Sequence, residues 1–201
     1  MKIVLPKLKD IPSAHVKNYE QIEEQVQKTI DTFDNLNEHA LDMKPVALHH
    51  SQVDPDNPLN FFVVGDHLLK KSALTPEEYK QNKNKFFFDE KVIINPEILE
   101  MKETIEREVP ERELADNEQG YEIVQKKKDI VNKGTNKEGC LSFPHRKEKN
   151  YERYYKIKVK YQTVGGLFGG LKTIKETVTG FKANIFQHEV DHANCKNIFH
   201  G

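Results

Sequence analysis

Residues 155–195 read YKIKVKYQTVGGLFGGLKTIKETVTGFKANIFQHEVDHANC and carry the clearest structural pattern of the chain. Apolar side chains alternate with polar ones from Tyr155 to Tyr161, which predicts a half-buried β-strand. A glycine-rich run from Gly165 to Gly170 follows, and then a second strand pattern up to Phe181, so we predict a β-hairpin. The segment from Lys182 to about Cys195 contains no Gly or Pro and is predicted to be a helix.

The residues before this hairpin predict one amphipathic helix and several strands. Apolar residues recur every three or four positions from Ser13, the expected N-cap, to about Asn37, which is the spacing of one helical face. Short apolar runs predict buried strands at Phe61–Val64, Phe86–Phe88 and Val92–Ile94, the last one stopped by Asn95-Pro96. Because the order lacks a βαβ rhythm, we predict an α+β fold, with antiparallel or mixed β-sheets packed around the C-terminal helix.

Length and composition exclude several classes of protein. The 201 residues suit a single domain over 1–201, with a charged insertion at about 101–137. The 31 basic and 32 acidic residues nearly cancel, so no sequence-specific nucleic-acid partner is expected. No stretch of 18 apolar residues occurs, so we expect no membrane span. The first residues carry too short an apolar run for a secretory signal, and two cysteines are too few for a disulfide scaffold, so the cytoplasm is the expected compartment.

The C-terminal helix contains the HExxH motif, as His188-Glu189-Val190-Asp191-His192. Two histidines four residues apart lie on one helical face, so both imidazoles can reach one metal ion. Glu189, beside the first histidine, can then take a proton from an attacking water. The motif therefore predicts a metal site suited to hydrolysis.

A third ligand is needed, and Cys140 is the candidate, because it follows Gly139 in a tight turn after the charged insertion. One thiolate and two imidazoles leave the fourth tetrahedral position free, as in catalytic sites. Two alternatives stay open for the cysteines. Cys140 could be a small buried hydrophobic residue, and Cys195, three residues after His192, could pack or be exposed.

Two segments together resemble the second and third motifs of the peptide deformylases, which remove the formyl group from the formyl-methionine of new proteins. They are Glu138-Gly139-Cys140-Leu141-Ser142-Phe143-Pro144 and Gln187-His188-Glu189-Val190-Asp191-His192, in the family's order and with a hairpin between them. The run from Val92 to Glu97 is similar to the strand and turn that precede the cysteine motif. The resemblance covers roughly residues 20–200.

The resemblance implies roles for individual residues. Cys140, His188 and His192 match the metal ligands, and Glu189 matches the catalytic acid and base. Leu141, through its backbone N–H, and Gln52, through its side chain, match the donors that hold the oxyanion of the tetrahedral intermediate. A bracing ion pair between Glu138 and Arg153 is also implied.

The resemblance further implies one divalent transition metal as cofactor, Fe²⁺ in the cell, with Zn²⁺ or Ni²⁺ as alternatives after purification. The implied partners are the formyl-methionyl N-termini of nascent peptides and, transiently, the ribosome.

The segment Pro45–Gln52 departs from the family's first motif. Family members have glycines at the positions of Pro45 and Ala47, and alanines at those of His49 and His50. We expect the two histidines to narrow the substrate approach; the alternative is that one of them is an extra metal ligand. Two other functions follow as alternatives to a deformylase: a non-catalytic deformylase-like protein that binds metal or a partner, and a metallopeptidase that uses the same helix.

Overall fold

The computed structural model describes residues 5–39, 45–70, 75–101, 104–105, 125–126, 129–165 and 170–199. Its helices are α1 (Glu23–His39), α2 (Pro76–Asn82) and α3 (Gly180–Ala193). Its strands are β1 (Ala47–His49), β2 (Phe61–Val64), β3 (Val92–Met101), β4 (Thr104–Ile105), β5 (Gln125–Lys126), β6 (Asp129–Val131), β7 (Lys133–Glu138), β8 (Lys149–Tyr154), β9 (Lys156–Gly165) and β10 (Gly170–Thr179). Antiparallel sheets beside a C-terminal helix confirm the predicted α+β class.

An antiparallel sheet in the order β1-β2-β3-β9-β10 separates the two long helices. Strand β2 is buried on both of its faces, as its uninterrupted apolar sequence requires. Phe62 and Val64 pack in the cluster that contains Phe186 of α3, whereas Phe61 and Val63 pack in the clusters that contain α1 residues. The sheet therefore fixes α3, the helix with the HExxH motif, against one of its faces.

The predicted hairpin and the helix after it are confirmed. Strands β9 and β10 pair without interruption from Gly165↔Gly170 to Lys156↔Thr179, and the turn residues 166–169 lie outside the described residues. Helix α3 begins at Gly180, whose φ of 55° suits glycine. The helix ends at Ala193, so both of its ends lie two residues earlier in the sequence than predicted. Cys195 lies beyond the helix, in a left-handed backbone conformation with a φ of 61°.

The predicted first helix begins too early in the sequence. Residues 13–16 are extended in the structure: the Ser13 N–H donates to the Ala193 carbonyl and the Val16 N–H to Asn95 Oδ1. The helix starts at Glu23 instead. The apolar periodicity predicted burial correctly, since Val16 and Ile22 are both in the core. The backbone conformation of residues 13–16 is decided instead by long-range hydrogen bonds to α3 and β3.

Two of the predicted strands also differ from the structure. Phe86–Phe88 is not a strand; Phe88 alone forms an isolated bridge, to Leu69. The strand predicted at Val92–Ile94 does not stop at Asn95-Pro96 but continues to Met101 through a bulge. A bulge tolerates proline because the ladder of backbone hydrogen bonds is interrupted there. Asn95 has a φ of 50° at the bulge, and its side-chain amide donates to the Val16 carbonyl and to Gln162 Oε1.

The charged insertion at about 101–137 is described only in part. Strands β4, β6 and β5 form a small antiparallel sheet within it, and β7, which covers its last residues, pairs with β8. Residues 102–103, 106–124 and 127–128 lie outside the described residues, so the proposed single-domain division of 1–201 stays a prediction. Among the helices of the described ranges, none is both long enough and apolar enough to cross a membrane.

Candidate metal centre

Strand β7 and helix α3 bring the three predicted metal ligands together. Cys140 follows the end of β7, while His188 and His192 lie one turn apart on α3. One ligand atom from each residue lies within 4.8 Å of the other two, and Cys140 Sγ is 3.4 Å from His192 Nε2. The two imidazole ring centroids are 4.9 Å apart.

The donor set fits a tetrahedral transition-metal site. Bonds of about 2.0–2.3 Å to nitrogen and sulfur place ligand atoms roughly 3.5 Å apart around the ion. The Cys140–His192 separation already has this value, and the ligand atom of His188 lies within 4.8 Å of both. One thiolate and two imidazoles are borderline-soft ligands of the kind that iron, zinc and nickel accept.

A buried ionic network holds the first histidine in place. His188 Nδ1 is 3.0 Å from Glu138 Oε2, which leaves Nε2 free to face a metal. Arg153 holds both oxygens of Glu138, with its Nε 2.8 Å from Oε1 and its Nη2 2.9 Å from Oε2. Its third nitrogen, Nη1, donates to Asp191 Oδ2 at 2.5 Å. The predicted Glu138–Arg153 pair is therefore present, and Asp191 extends it to α3.

The network sets the protonation of its members. Burial acts to raise the pKa of Glu138, but the hydrogen bonds from His188 and Arg153 outweigh it and hold that pKa below its ordinary value. Burial acts to lower the pKa of His188, yet its hydrogen bonds to Cys140 and Glu138 raise it to about 10.

Loss of the guanidinium should destabilise the protein strongly. Arg153→Met would leave the buried Glu138 carboxylate and Asp191 without their cation, which costs about 3–5 kcal/mol for a buried pair. We expect this loss in the free energy of unfolding from urea denaturation. The neighbouring Glu152→Gln on the same strand, whose carboxylate is 65% exposed, is the control and should change stability by less than about 1 kcal/mol. Equal stability of the two variants would exclude the bracing role.

Glu189 lies on α3 between the two histidines and is nearly inaccessible to solvent. Burial raises its pKa to about 7, and Oε2 has no hydrogen-bond partner among the described residues. A carboxylate with a free oxygen and a pKa near neutrality can both accept and return a proton.

Gln52 extends toward the cysteine from the 3₁₀ turn at His50–Gln52. Its Oε1 accepts from the His49 N–H at 2.9 Å, which fixes the amide orientation. Its Nε2 lies 3.8 Å from Cys140 Sγ and donates to Ser142 Oγ at 2.9 Å. Leu141, next to the cysteine, packs its side chain against the cluster of Phe33, Leu48 and Val63. Both predicted oxyanion donors thus belong to segments that adjoin the thiol.

The two unusual histidines are inside the protein. His49 is 0% and His50 1% exposed, so neither can narrow a solvent-filled approach, and that expectation is wrong. His50 packs its ring on Phe61, with centroids 4.8 Å apart, and its Nδ1 accepts from the Leu59 N–H. Neither histidine belongs to the group of potential metal ligands in the described part of the chain.

A cleft of about 850 Å³ lies on another side of α3. Gln187, Val190 and Asp191 of the helix and Asn194 just after it line the cleft, together with Arg153 and the bulge of β3. The three predicted ligands and Glu189 are not among its lining residues, because they project from a different face of the helix. The cleft borders the ionic network and is separate from the candidate metal centre.

Sequence reasoning assigned no role to three residues beside the site: Ser142, which accepts from Gln52, Asp191, which accepts from Arg153, and Asn60, which adjoins His49. Asp191 offered one signal, since it is a second carboxylate inside the HExxH motif. Ser142 and Asn60 offered none, because their contacts depend on the tertiary fold.

An α+β fold in which a cysteine, two histidines and a buried carboxylate meet at an HExxH helix defines a class: proteins with a candidate Cys–His–His metal centre on that helix. The model of the family described as polypeptide deformylase matches residues 8–200, and the chain belongs to that family. This confirms the family resemblance seen in the two motifs.

Individual relatives agree with this assignment. The chain is 36% identical over 102 residues to a peptide deformylase of Thermotoga neapolitana and to one of Thermotoga maritima, a match that spans 51% of this chain and 42% of each relative. The match therefore covers less than half the length of these curated relatives.

Solved structures show the same fold. A class I type b peptide deformylase of Acinetobacter baumannii with bound Met-Ala-Ser matches this chain with a TM-score of 0.60 at 22% sequence identity. The match covers 99% of this chain and 98% of the Acinetobacter baumannii chain. The peptide deformylase of Thermotoga maritima matches with a TM-score of 0.56 at 23% sequence identity. That match covers 98% of this chain and 97% of the Thermotoga maritima chain.

Proposed function

We propose that this chain is a metal-dependent hydrolase that removes the formyl group from formyl-methionine at the N-termini of nascent polypeptides. The observation that carries the proposal is the buried Glu189, with one carboxylate oxygen free, on the same helix as two histidines that meet Cys140. Membership of the deformylase family, matched over residues 8–200, supports the reaction type.

Cys140, His188 and His192 are proposed to hold one divalent transition metal, Fe²⁺ in the cell and Zn²⁺ or Ni²⁺ as substitutes after purification. When bound, the ion would act as a Lewis acid that polarises the formyl oxygen and acidifies the attacking water. Glu138, through its contact with His188 Nδ1, would keep the opposite nitrogen of that ring available to the ion.

Glu189 is proposed to move the proton. Its carboxylate takes a proton from water as the oxygen attacks the formyl carbon, and it then gives that proton to the departing amine of methionine. The pKa of about 7 that burial imposes on Glu189 suits both directions of transfer near neutral pH. The products are formate and a peptide with a free amino terminus.

Gln52 and the backbone N–H of Leu141 are proposed to stabilise the oxyanion of the tetrahedral intermediate. Gln52 Nε2 donates to Ser142 Oγ in this structure, so its donor is held beside the thiol before substrate binds. A preorganised donor contributes most when charge develops on the oxygen, because it needs no reorganisation during the reaction.

Removal of this donor should lower kcat more than it raises KM. We expect Gln52→Ala to reduce kcat on the order of 100-fold, the effect of losing one oxyanion donor, with unchanged metal content. Gln27→Ala, on the exposed face of α1, is the control and should leave kcat at the wild-type value. A Gln52→Ala variant with wild-type kcat would remove Gln52 from the oxyanion site.

The proposed substrate places the protein in the cytoplasm, where nascent formylated chains emerge, with the ribosome as a transient partner. Formyl-methionyl peptides are small enough to be tested without the ribosome.

The products of one peptide distinguish the proposal from its alternatives. Metal-loaded protein is incubated with formyl-Met-Ala-Ser, and the products are identified by mass spectrometry. We expect Met-Ala-Ser with all peptide bonds intact. Cleavage between residues would indicate a metallopeptidase instead, and unchanged peptide with fully loaded protein would contradict enzymatic function.

A further inference from the structure

Besides Glu189 Oε2 and His50 Nε2, three further buried polar atoms near the metal centre have no hydrogen-bond partner within the described ranges. They are Nδ1 of His192, Nε2 of His49 and Oδ1 of Asn60. The rings of His49 and His192 are 6.4 Å apart between centroids. Asn60 adjoins His49 closely enough to act on its pKa. Because unpaired buried polar atoms are unfavourable, a cluster of three beside a metal ligand calls for an explanation.

Strand β1 directs His49 toward α3. Side chains alternate along a strand, so Ala47 and His49 share one face while Leu48 takes the other. Ala47 packs in the cluster that contains the α3 residues, and Leu48 packs in the cluster with Phe33 of α1. The imidazole of His49 therefore lies between the sheet and the helix that carries His192.

Hydrogen bonding fixes the tautomer of each ring. His49 Nδ1 accepts from the Ser51 N–H at 3.1 Å, so its proton is on Nε2 and that atom is a donor. His192 presents Nε2 to Cys140 Sγ, so a metal bound there leaves the proton on Nδ1, which is also a donor. Two donors cannot bond to each other, but the carbonyl oxygen of Asn60 can accept from two groups.

We propose that His49 and Asn60 are positioning residues for the metal ligand His192, with Asn60 Oδ1 accepting from His49 Nε2 and, directly or through a water molecule, from His192 Nδ1. This inference rests on the proposed metal site. A histidine ligand whose other nitrogen is bonded has a fixed ring orientation and a more basic ligating atom. The role of His49 is to orient the Asn60 side chain, because the N–H at His49 Nε2 donates to Asn60 Oδ1.

Cobalt titration tests the proposal without any need for turnover. Co²⁺ affinity is measured by competition with a chelator, and the ligand field is measured from its visible absorption bands. His49→Phe keeps the volume and removes the donor, whereas His49→Gln places an amide N–H near the position of Nε2. We expect His49→Phe to weaken Co²⁺ binding about 10- to 100-fold and to shift the absorption bands, as for other outer-sphere partners of metal ligands. His49→Gln should restore most of the affinity.

Two further variants make the test specific. Asn60→Leu should weaken binding as much as His49→Phe, and the double variant should be no weaker than either, because both act through one hydrogen-bonded unit. His50→Phe, equally buried but packed on Phe61, is the control and should keep the wild-type affinity and spectrum.

Each contrary outcome has a distinct meaning. Wild-type affinity and spectrum in His49→Phe would overturn the proposal. Weak binding in His49→Phe with normal binding in Asn60→Leu would overturn it too, since His49 would then act without Asn60. If wild-type protein bound no Co²⁺, the proposed metal site itself would fail.

Discussion

Replacement of Glu189 by Gln should lower kcat for formyl-methionyl peptides by roughly 100- to 10,000-fold, the usual contribution of a general base. The amide keeps the shape and polarity of the side chain but cannot accept a proton from water. Glu189 is buried and has a free oxygen, whereas both oxygens of the nearby Glu138 carboxylate are already held by Arg153 and His188. The metal content, measured by elemental analysis, should stay at the wild-type value.

The matched control is Glu152→Gln, which makes the same chemical change at an exposed position on β8. It should have wild-type kcat. A Glu189→Gln enzyme that turns over at a near-native rate with its metal bound would remove Glu189 from the mechanism.

Replacement of Cys140 by Ala should abolish stable metal binding. The thiolate is the one anionic ligand among the three. Loss of a residue that only hydrogen-bonds to a metal ligand typically weakens metal binding 10- to 100-fold. We expect a larger decrease for a direct ligand, so that purified Cys140→Ala retains only a small fraction of the metal equivalent found in wild type. Activity should fall in proportion to the metal.

Cys195→Ala is the control for this variant, because it removes the other cysteine of the chain, which lies beyond the end of α3. It should keep its metal. Equal metal content in the two variants would mean that Cys140 is a buried hydrophobic residue, the alternative reading of its sequence context.

The elements predicted correctly from the sequence are those that local interactions determine. The β9–β10 hairpin has strict alternation in its first strand before a glycine turn, and α3 has a long segment without Gly or Pro. The errors occur where distant segments decide the backbone. Ser13 donates to Ala193, about 180 residues away along the chain, and Asn95 is held by Val16 and Gln162. No local pattern carries such contacts.

The candidate site divides in the same way. The histidine pair on α3 follows from helical geometry, and Cys140 from a ligand set that needs one more donor. The groups that orient these residues depend on tertiary structure. Arg153 joins β8 to both β7 and α3, and Asn60 meets His49 only because β1 and β2 are paired. The sequence could suggest which residues act, but not what holds them.

Formate release is the most direct test of the proposed activity. The protein is loaded anaerobically with Fe²⁺, its metal content is measured, and formate is quantified during incubation with formyl-Met-Ala-Ser. We predict many turnovers per metal equivalent, one formate for each free amino terminus, and no release by metal-free protein. Protein that holds a full equivalent of Fe²⁺ and releases no formate would contradict the proposed activity and favour a non-catalytic, metal-binding member of the family.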